Sequence, residues 1–318
     1  MKKNLPEITD SEELTCWLIK FNSEITLQDL DELTYHQYAR NSLMAMTKDW
    51  NLFSEFCRSK RVKSLPSSTT AVRLFLEKEA RIRKYATLKR YTVTISVIHR
   101  ILVQKDPTSS SVVKSALSGL RLTKHGDATQ AAAFNAKHMG ALDNALSRSK
   151  SIRDLRNLAL CYVMFECALK RNEVRNLNLE QFSDTEMGMT LSIGDKTYRL
   201  SAPARDSMTK WFTALPYSTG PAFRAIDRHG NISLSLMDDS SLYRVVRSVS
   251  DIIGVSIQFS GQSMRVGAAK ELAKRGLKVR EIQEFGRWLS PAMPYQYTGN
   301  KAAAEAEKMA YLSFKPLE

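Results

Sequence analysis

The sequence predicts a mainly α-helical chain of two domains, with one small β-hairpin in the second. Three observations carry that reading. Over most of the chain apolar residues recur at intervals of three and four, which places them on one helix face. Met189–Leu200 alternates instead around Gly194-Asp195, the period of paired strands. The polar stretch Lys124-His-Gly-Asp-Ala-Thr-Gln-Ala interrupts the helical pattern and reads as an interdomain linker. A length of 318 residues suits two domains better than one.

Residues 1–35 read as an acidic, flexible arm with a short helix near Glu12–Ile19. A helical domain is expected over 36–124. In its first helix, 36–60, Leu43, Met46, Trp50, Phe53 and Phe56 are spaced 3, 4, 3, 3, so one face stays apolar. Ser67-Ser68-Thr69 offers an N-cap for a second helix through about Lys84. The third, 86–104, carries Leu88, Tyr91, Ile95, Ile98 and Leu102 at 3, 4, 3, 4, with Lys89, Arg90 and Arg100 off the stripe. A fourth short helix covers 110–122. After a linker at 125–134, a second domain runs over 135–318. Its helices are predicted at 135–148, 151–168, 203–214, 239–253, 261–275, 278–286 and 300–313. The loop 216–233 holds Gly220-Pro221 and Gly230-Asn231.

Apolar residues make up 43% of the chain, enough to bury real cores. No run approaches the ~20 apolar residues that span a bilayer. The start, Met-Lys-Lys-Asn-Leu-Pro-Glu, lacks the apolar run of a signal peptide. A cytoplasmic protein with no membrane partner is expected. Cys16, Cys57, Cys161 and Cys167 form no Cys-x-x-Cys pair and have no histidine at metal-ligand spacing. They read as free thiols of a reducing compartment. No metal or other cofactor is expected.

The net charge is +14, unevenly spread. Residues 1–35 hold three Lys/Arg and eight Asp/Glu, which leaves +19 on the rest. Residues 58–124 hold sixteen Lys/Arg against three Asp/Glu. Such an excess within a foldable pattern reads as the footprint of a polyanion. An ordinary solvated face mixes both signs. A membrane surface would favour one strongly amphipathic helix, whereas these cations fall on several. Lys48, Lys84, Thr87, Lys89, Arg90 and Arg100 are the candidate DNA-binding residues.

Three segments stand in an informative order: Ala168-Leu-Lys-Arg-Asn-Glu-Val174, Ser260-Gly-Gln-Ser-Met-Arg-Val-Gly-Ala-Ala269 and Gly286-Arg-Trp-Leu-Ser-Pro-Ala-Met-Pro-Tyr-Gln-Tyr297. Each has an ordinary structural reading as well. Lys170 and Glu173, three apart on a helix, make a common surface ion pair. Trp288 and Tyr297 suit core packing. The order of the segments, with Lys196 on the intervening hairpin, makes them a constellation.

These segments resemble the tyrosine recombinase (phage integrase) family, its Cre-like members in particular. Ser260–Ala269 differs at two positions from the Cre-like pattern Ser-Gly-His-Ser-Ala-Arg-Val-Gly-Ala-Ala. Ile152-Arg-Asp-Leu-Arg-Asn-Leu-Ala159 is also similar to its counterpart. The resemblance covers about 135–300 and, more loosely, the helical domain before it. It implies a two-domain DNA clamp, in which a helical core-binding domain and a helical catalytic domain with a small sheet close on the duplex. It implies site-specific recombination at sites with inverted half-sites, by a dimer on each site and a tetramer in synapsis, through a Holliday junction. The small apolar face of 301–312, with Ala302, Ala303, Ala306, Met309 and Ala310, is similar to the family's last helix, which docks on a neighbouring protomer. Packing on its own domain is the alternative. Association with the nucleoid follows from the same resemblance.

The implied chemistry suits these residue types. Attack on a phosphodiester builds negative charge on the phosphoryl oxygens, which preorganised cationic donors stabilise. The resemblance makes Tyr297 the nucleophile of a 3′-phosphotyrosyl intermediate. It makes Arg265 a bidentate phosphate donor, Trp288 an N–H donor to phosphate and Lys196 the proton donor to the leaving 5′-oxygen. Tyr295 is the competing nucleophile, two residues short of the family interval from Trp288.

Two positions depart from the family pattern. Lys170 stands where the family has an arginine three residues before Glu173; it keeps the charge and loses the bidentate fork. Arg171 is rotated ~100° away on a helix and is not expected to replace it. Gln262 stands for the family histidine; it can donate to a phosphate but cannot act as a general base. If these changes only weaken the site, Lys170→Arg should speed cleavage. If the neighbours have adapted to lysine, arginine should slow it. The same departures motivate a second reading, a sequence-specific DNA-binding partner with weak or lost catalysis. A nonspecific nucleic-acid binder would need the motif matches to be accidental.

Overall fold

The structure, a computed structural model, describes residues 5–127 and 129–313, with side chains as far as Lys308. The chain divides into two compact units between Thr129 and Gln130.

The first unit holds α1 (Ser11–Lys20), α2 (Leu27–Leu33), α3 (Arg40–Ser59), α4 (Thr69–Glu79), α5 (Tyr85–Ile101) and α6 (Ser111–Thr123). The predicted stripes are the buried faces: Leu43, Met46, Trp50, Phe53 and Phe56 on α3, and Leu88, Tyr91, Ile95 and Ile98 on α5, with Leu102 just past its end. Phe21, Trp50, Phe53, Phe75 and Tyr91 form a run of tilted and edge-on rings with centroids 5.8, 5.7, 5.2 and 5.3 Å apart. Ser68 caps α4 by accepting from the Ala71 N–H. That helix stops at Glu79, short of the predicted Lys84, and Lys84 becomes the N-cap residue of α5.

Residues 5–35 correct the sequence reading of a flexible arm. Phe21, Ile25, Leu30 and Leu33 are buried in the core of the first unit. The Trp50 indole donates to the Phe21 carbonyl at 3.1 Å, and Asn51 brackets Ile25 with bonds of 3.0 and 2.8 Å. The acidic residues that suggested an arm have local duties. Glu12 and Glu13 lie in the first turn of α1, where the helix dipole favours negative charge. Asp29 closes a capping box with Thr26.

The second unit holds α7 (Ala136–Leu146), α8 (Ile152–Glu166), α9 (Arg171–Arg175), β1 (Phe182–Thr185), β2 (Gly188–Ile193), β3 (Lys196–Arg199) and α10 (Ala202–Ala214). It continues with β4 (Arg224–Ile226), β5 (Ile232–Leu236), α11 (Asp239–Ile252), α12 (Gly261–Lys274), α13 (Val279–Phe285), α14 (Ala292–Thr298) and α15 (Lys301–Ser313). β1, β2 and β3 form an antiparallel sheet in that order, and β4 pairs with β5. The predicted hairpin is β2–β3, with Ile193 opposite Lys196 and Gly194 at φ +59° in the connection. Two helices run through the core: α8 is buried continuously from Leu158 to Phe165, and α12 from Ser263 to Ala269. Burial on every side fits the centre of a helical unit.

The predicted linker 125–134 is a linker only in its first half. Phe134 is fully buried, and its N–H donates to the Ser263 carbonyl at 3.0 Å. Gly267 permits that crossing, since a Cβ there would stand 1.5 Å from the Phe134 oxygen. All four cysteines are free, and Cys57, Cys161 and Cys167 are buried. Among the described residues no helix is long and apolar enough to cross a membrane.

The burial of 5–35 is testable. Phe21→Ala should cost the first unit about 3–5 kcal/mol, the usual range for a large-to-small change at a buried phenylalanine. Ile19→Ala, at a residue 72% exposed, should change little. Urea unfolding of both variants reads the difference; a free arm would leave the two alike.

Candidate active site

Six of the seven candidates form one continuous set of contacts in the second unit. Arg265 is 7% exposed on α12. Its Nη2 donates to the Gly286 carbonyl at 2.8 Å and its Nη1 to the Ala168 carbonyl. Its guanidinium lies 4.3 Å over the Trp288 ring. Burial pulls the Arg265 pKa down and the Glu173 charge opposes that pull. Of five N–H donors, these bonds use two, so the rest of the fork remains for another acceptor.

Trp288 is held from behind by glycine geometry. A Cβ on Gly286 would stand 1.9 Å from the indole ring, so only glycine leaves room for the ring. The indole packs edge-on to Tyr297 with centroids 5.9 Å apart. Its N–H makes no hydrogen bond among the described residues. Tyr297 is 3% exposed on α14, and its hydroxyl accepts from Gln262 Nε2 at 3.0 Å. Gln262, expected to face a phosphate, therefore holds the phenol oxygen. Tyr295 is only half-buried on the same short helix.

Lys170 and Glu173 open α9. The Lys170 backbone N–H donates to Glu173 Oε2 at 2.7 Å, and the Lys170 ammonium stands 3.4 Å from Oε1. Arg265 Nη1 lies 3.9 Å from Oε2. The residue that sequence reasoning missed is Arg287. Its Nε and Nη2 grip the two Glu173 oxygens at 3.2 and 2.9 Å. Burial works against the Glu173 charge, but the Arg287 bonds, the Lys170 N–H and both cations hold its carboxyl below the ordinary range. The available signal was a basic residue set between Gly286 and Trp288 inside the third segment. Arg171 does not take the missing place: its side chain lies across Gly261, where a Cβ would meet it at 2.5 Å.

Lys196 stands apart. It is half-buried at the start of β3 and makes no side-chain hydrogen bond or ion pair among the described residues. Alternation puts it on the same strand face as Tyr198. The Tyr198 hydroxyl donates to the Phe285 carbonyl at 2.6 Å and accepts from Arg287, which ties the hairpin to the cluster. No group of three or more His, Cys, Asp or Glu side chains among the described residues is placed to hold a metal ion.

In the first unit none of the sixteen basic residues of 58–124 is buried. Lys48, Lys84, Lys89, Arg90 and Arg100 are exposed, and Thr87 is half-buried. Lys89 and Arg100, eleven apart on α5, share a face. Lys84 Nζ donates to Thr129 Oγ1 at 3.0 Å. Arg90 is not a free cation. It forks onto the buried Asp49 with bonds of 2.8 and 2.7 Å.

No family model matches the chain. Two curated relatives do. An integrase/recombinase XerD homologue from Selenomonas ruminantium is 25% identical over 278 residues, covering 81% of each chain. The Cre recombinase of Escherichia phage P1 is 22% identical over 298 residues, covering 85% of this chain and 86% of its own. This chain is a homologue of the tyrosine recombinases. Solved structures of that kind share the fold. XerH recombinase on a palindromic difH substrate, in a post-cleavage complex, aligns with a TM-score of 0.64 at 15% identity, over 99% of this chain and all of that one. A lambda integrase dimer bound to a core site aligns at 0.61 and 11% identity, over 91% of this chain and 77% of that one. The shared fold is that of these recombinases; the contacts above are this chain's own.

Glu173→Gln should expose the electrostatics. Removing one member of a buried ion pair costs about 3–5 kcal/mol, and the half-buried Glu173 should fall near the lower end. Because folding lowers the Glu173 pKa, its contribution is complete above the ordinary value of 4.5 and is lost as pH falls through the lowered one. Urea midpoints of parent and variant should therefore differ at pH 7 and converge in acid. A gap that stays constant with pH would assign the loss to packing.

Proposed function

We propose that this chain cuts and rejoins duplex DNA at a specific site, with Tyr297 as the nucleophile. The observation that carries the reading is the buried Tyr297 phenol, in one contact set with Gln262, Trp288 and the partly unsatisfied Arg265 fork. The XerH neighbours, seen in pre-cleavage and post-cleavage complexes with DNA, support it.

In the reaction the Tyr297 oxygen bonds to phosphorus as the bond to the 5′-oxygen breaks. Gln262 donates to the phenol oxygen and holds it in place. The phenol proton leaves to solvent. The free Arg265 donors and the Trp288 N–H stabilise the charge on the non-bridging oxygens. Lys196 gives a proton to the departing 5′-oxygen. The phosphotyrosyl bond keeps the energy of the broken linkage, so a second 5′-hydroxyl can reverse the step. Glu173 holds the cations in register.

The finer reading is a dimer on each site of two inverted half-sites, and a tetramer in synapsis, acting in the cytoplasm on DNA of the nucleoid. α15 is the element proposed to join protomers. Ala304 packs inward and Lys308 Nζ meets Gln296 Oε1 at 3.1 Å, while Ala302 and Ala306 stay exposed. The side chains of Met309 and Ala310, part of the same expected face, lie outside the described residues. The second reading, a DNA-binding partner with weak or lost catalysis, draws on Lys170 and Gln262.

A nicked duplex that traps the covalent intermediate tests the reading, its site selected from a randomised library by the parent protein. Tyr297→Phe should abolish the adduct and leave DNA affinity within about threefold, since one hydroxyl is lost. Tyr295→Phe should keep the adduct. The reverse pattern would move the nucleophile to Tyr295. Binding without an adduct in the parent would favour the noncatalytic partner.

The basic surface gives a separate test. Lys89→Ala should weaken binding and lower the salt slope by about one counterion. Arg90→Ala should act mainly on stability, because it strands the buried Asp49. Filter binding across a salt series, with urea unfolding of both variants, separates the two effects.

A further inference from the structure

We propose that Arg287 has taken over the guanidinium half of the Glu173 pair, which frees Lys170 to serve as the mobile phosphate donor. Positions 170 and 287 then work as an exchangeable pair. The inference rests on the cleavage reading above.

The donor accounting separates the two residues. Both Glu173 oxygens accept from Arg287. Arg287 Nη1 also donates to the Tyr198 hydroxyl and, at 3.2 Å, to the Phe285 carbonyl. The Cys167 carbonyl accepts from Nη1 and Nη2 at 3.5 and 3.4 Å, and Ala168 from Nη2 at 3.5 Å. A guanidinium has five N–H donors, and here all have acceptors. With a side chain 16% exposed, Arg287 has nothing left for a substrate; it is a positioning residue. Lys170 is the opposite case. Its side chain is 51% exposed, and its ammonium has one ionic contact, to Glu173 at 3.4 Å. Both residues line a cavity of about 360 Å³ with Trp288, Leu289, Ser290 and Met293. A phosphoryl oxygen entering beside Trp288 would meet the Lys170 ammonium, while Arg287 stayed on Glu173.

The backbone at 287 supplies the means to test this. Arg287 has φ +55°, in the left-handed region that suits glycine and that other residues occupy when their surroundings demand it. Here the demand comes from the end of α13, where the Arg287 N–H donates to the Glu284 carbonyl at 3.2 Å and the Trp288 N–H to the Gln283 carbonyl at 3.0 Å. Glycine at 287 would remove the side chain and relieve the backbone together, which makes Arg287→Gly a clean probe. An arginine at 170 in the parent would compete for carboxylate oxygens already taken.

The experiment uses four full-length proteins: parent, Arg287→Gly, Lys170→Arg and the double variant. The probe is the selected nicked duplex described above. Single-turnover adduct formation, DNA affinity and the thermal unfolding midpoint are read for each. Arg287→Gly should slow the adduct about 100-fold, the scale of a catalytic group displaced by about 1 Å, with affinity unchanged. Lys170→Arg alone should leave the rate the same or lower. Adding Lys170→Arg to Arg287→Gly should regain at least tenfold, since the guanidinium returns to Glu173 from the other side. Midpoints should follow the same cycle, with Lys170→Arg recovering stability only when Arg287 is gone. Independent effects in the rate cycle, or a parent accelerated by Lys170→Arg, would overturn the exchange. Should the parent form no adduct, the cleavage reading fails by itself, and equal effects of Lys170→Arg in both backgrounds on the midpoint would overturn the exchange as well.

Discussion

Arg265 and Arg287 sit where water is scarce, and Glu173 lies against both. Everything else in the candidate site depends on that arrangement. Desolvation penalises each buried charge, and removing the carboxylate would leave two guanidinium groups and the Lys170 ammonium facing one another. With it, three cations surround one anion, so the cluster retains positive charge with no phosphate present. A site preorganised in this way need not gather its cations when charge develops on a substrate.

The two arginines divide the work by how far their donors are satisfied. Arg287 is saturated by a carboxylate, a hydroxyl and carbonyls. It joins the end of α8, the start of α9, strand β3 and the turn after α13. Arg265 is anchored by carbonyls from two of those places and keeps part of its fork open. The carbonyl oxygens of Ala168 and Gly286 thus fix the position of the guanidinium without exhausting it. Trp288 adds a flat face beneath the same group, which limits its tilt. Gly286 sets the depth of that face, because any side chain there would collide with the indole.

Much of this was legible in the sequence, for particular reasons. The stripes of α3 and α5 are long and regular, so their buried faces could be named. The hairpin announced itself by alternation around Gly194. The three segments could be ordered because their residue types fit one chemistry. What stayed hidden depended on contacts between distant positions. The helices α1 and α2 are too short for periodicity to outweigh eight acidic residues, and only the core shows Phe21 and Leu30 as anchors. α14 contains Pro294 in its first turn, where proline is tolerated, yet proline in a sequence reads as a break. The Gln262 bond spans 35 positions and the Arg287 pair spans 114. No local pattern reports either.

The basic surface shows the same limit in terms of charge. Over 58–124, two of the acidic residues, Glu77 and Glu79, already offset Arg73 and Arg83 through pairs on α4 and at its end. Asp49 lies outside that window, on α3, so its fork onto Arg90 escapes a count made along the chain. A cation held by a buried carboxylate has its charge offset by that partner, and giving up the partner would strand the carboxylate. Exposed Lys89 and Arg100 carry no such debt and can contribute a full charge to counterion release. Net charge along the chain therefore overstates the cations left free for a phosphate backbone. The useful measure is the set of cations whose partners are water.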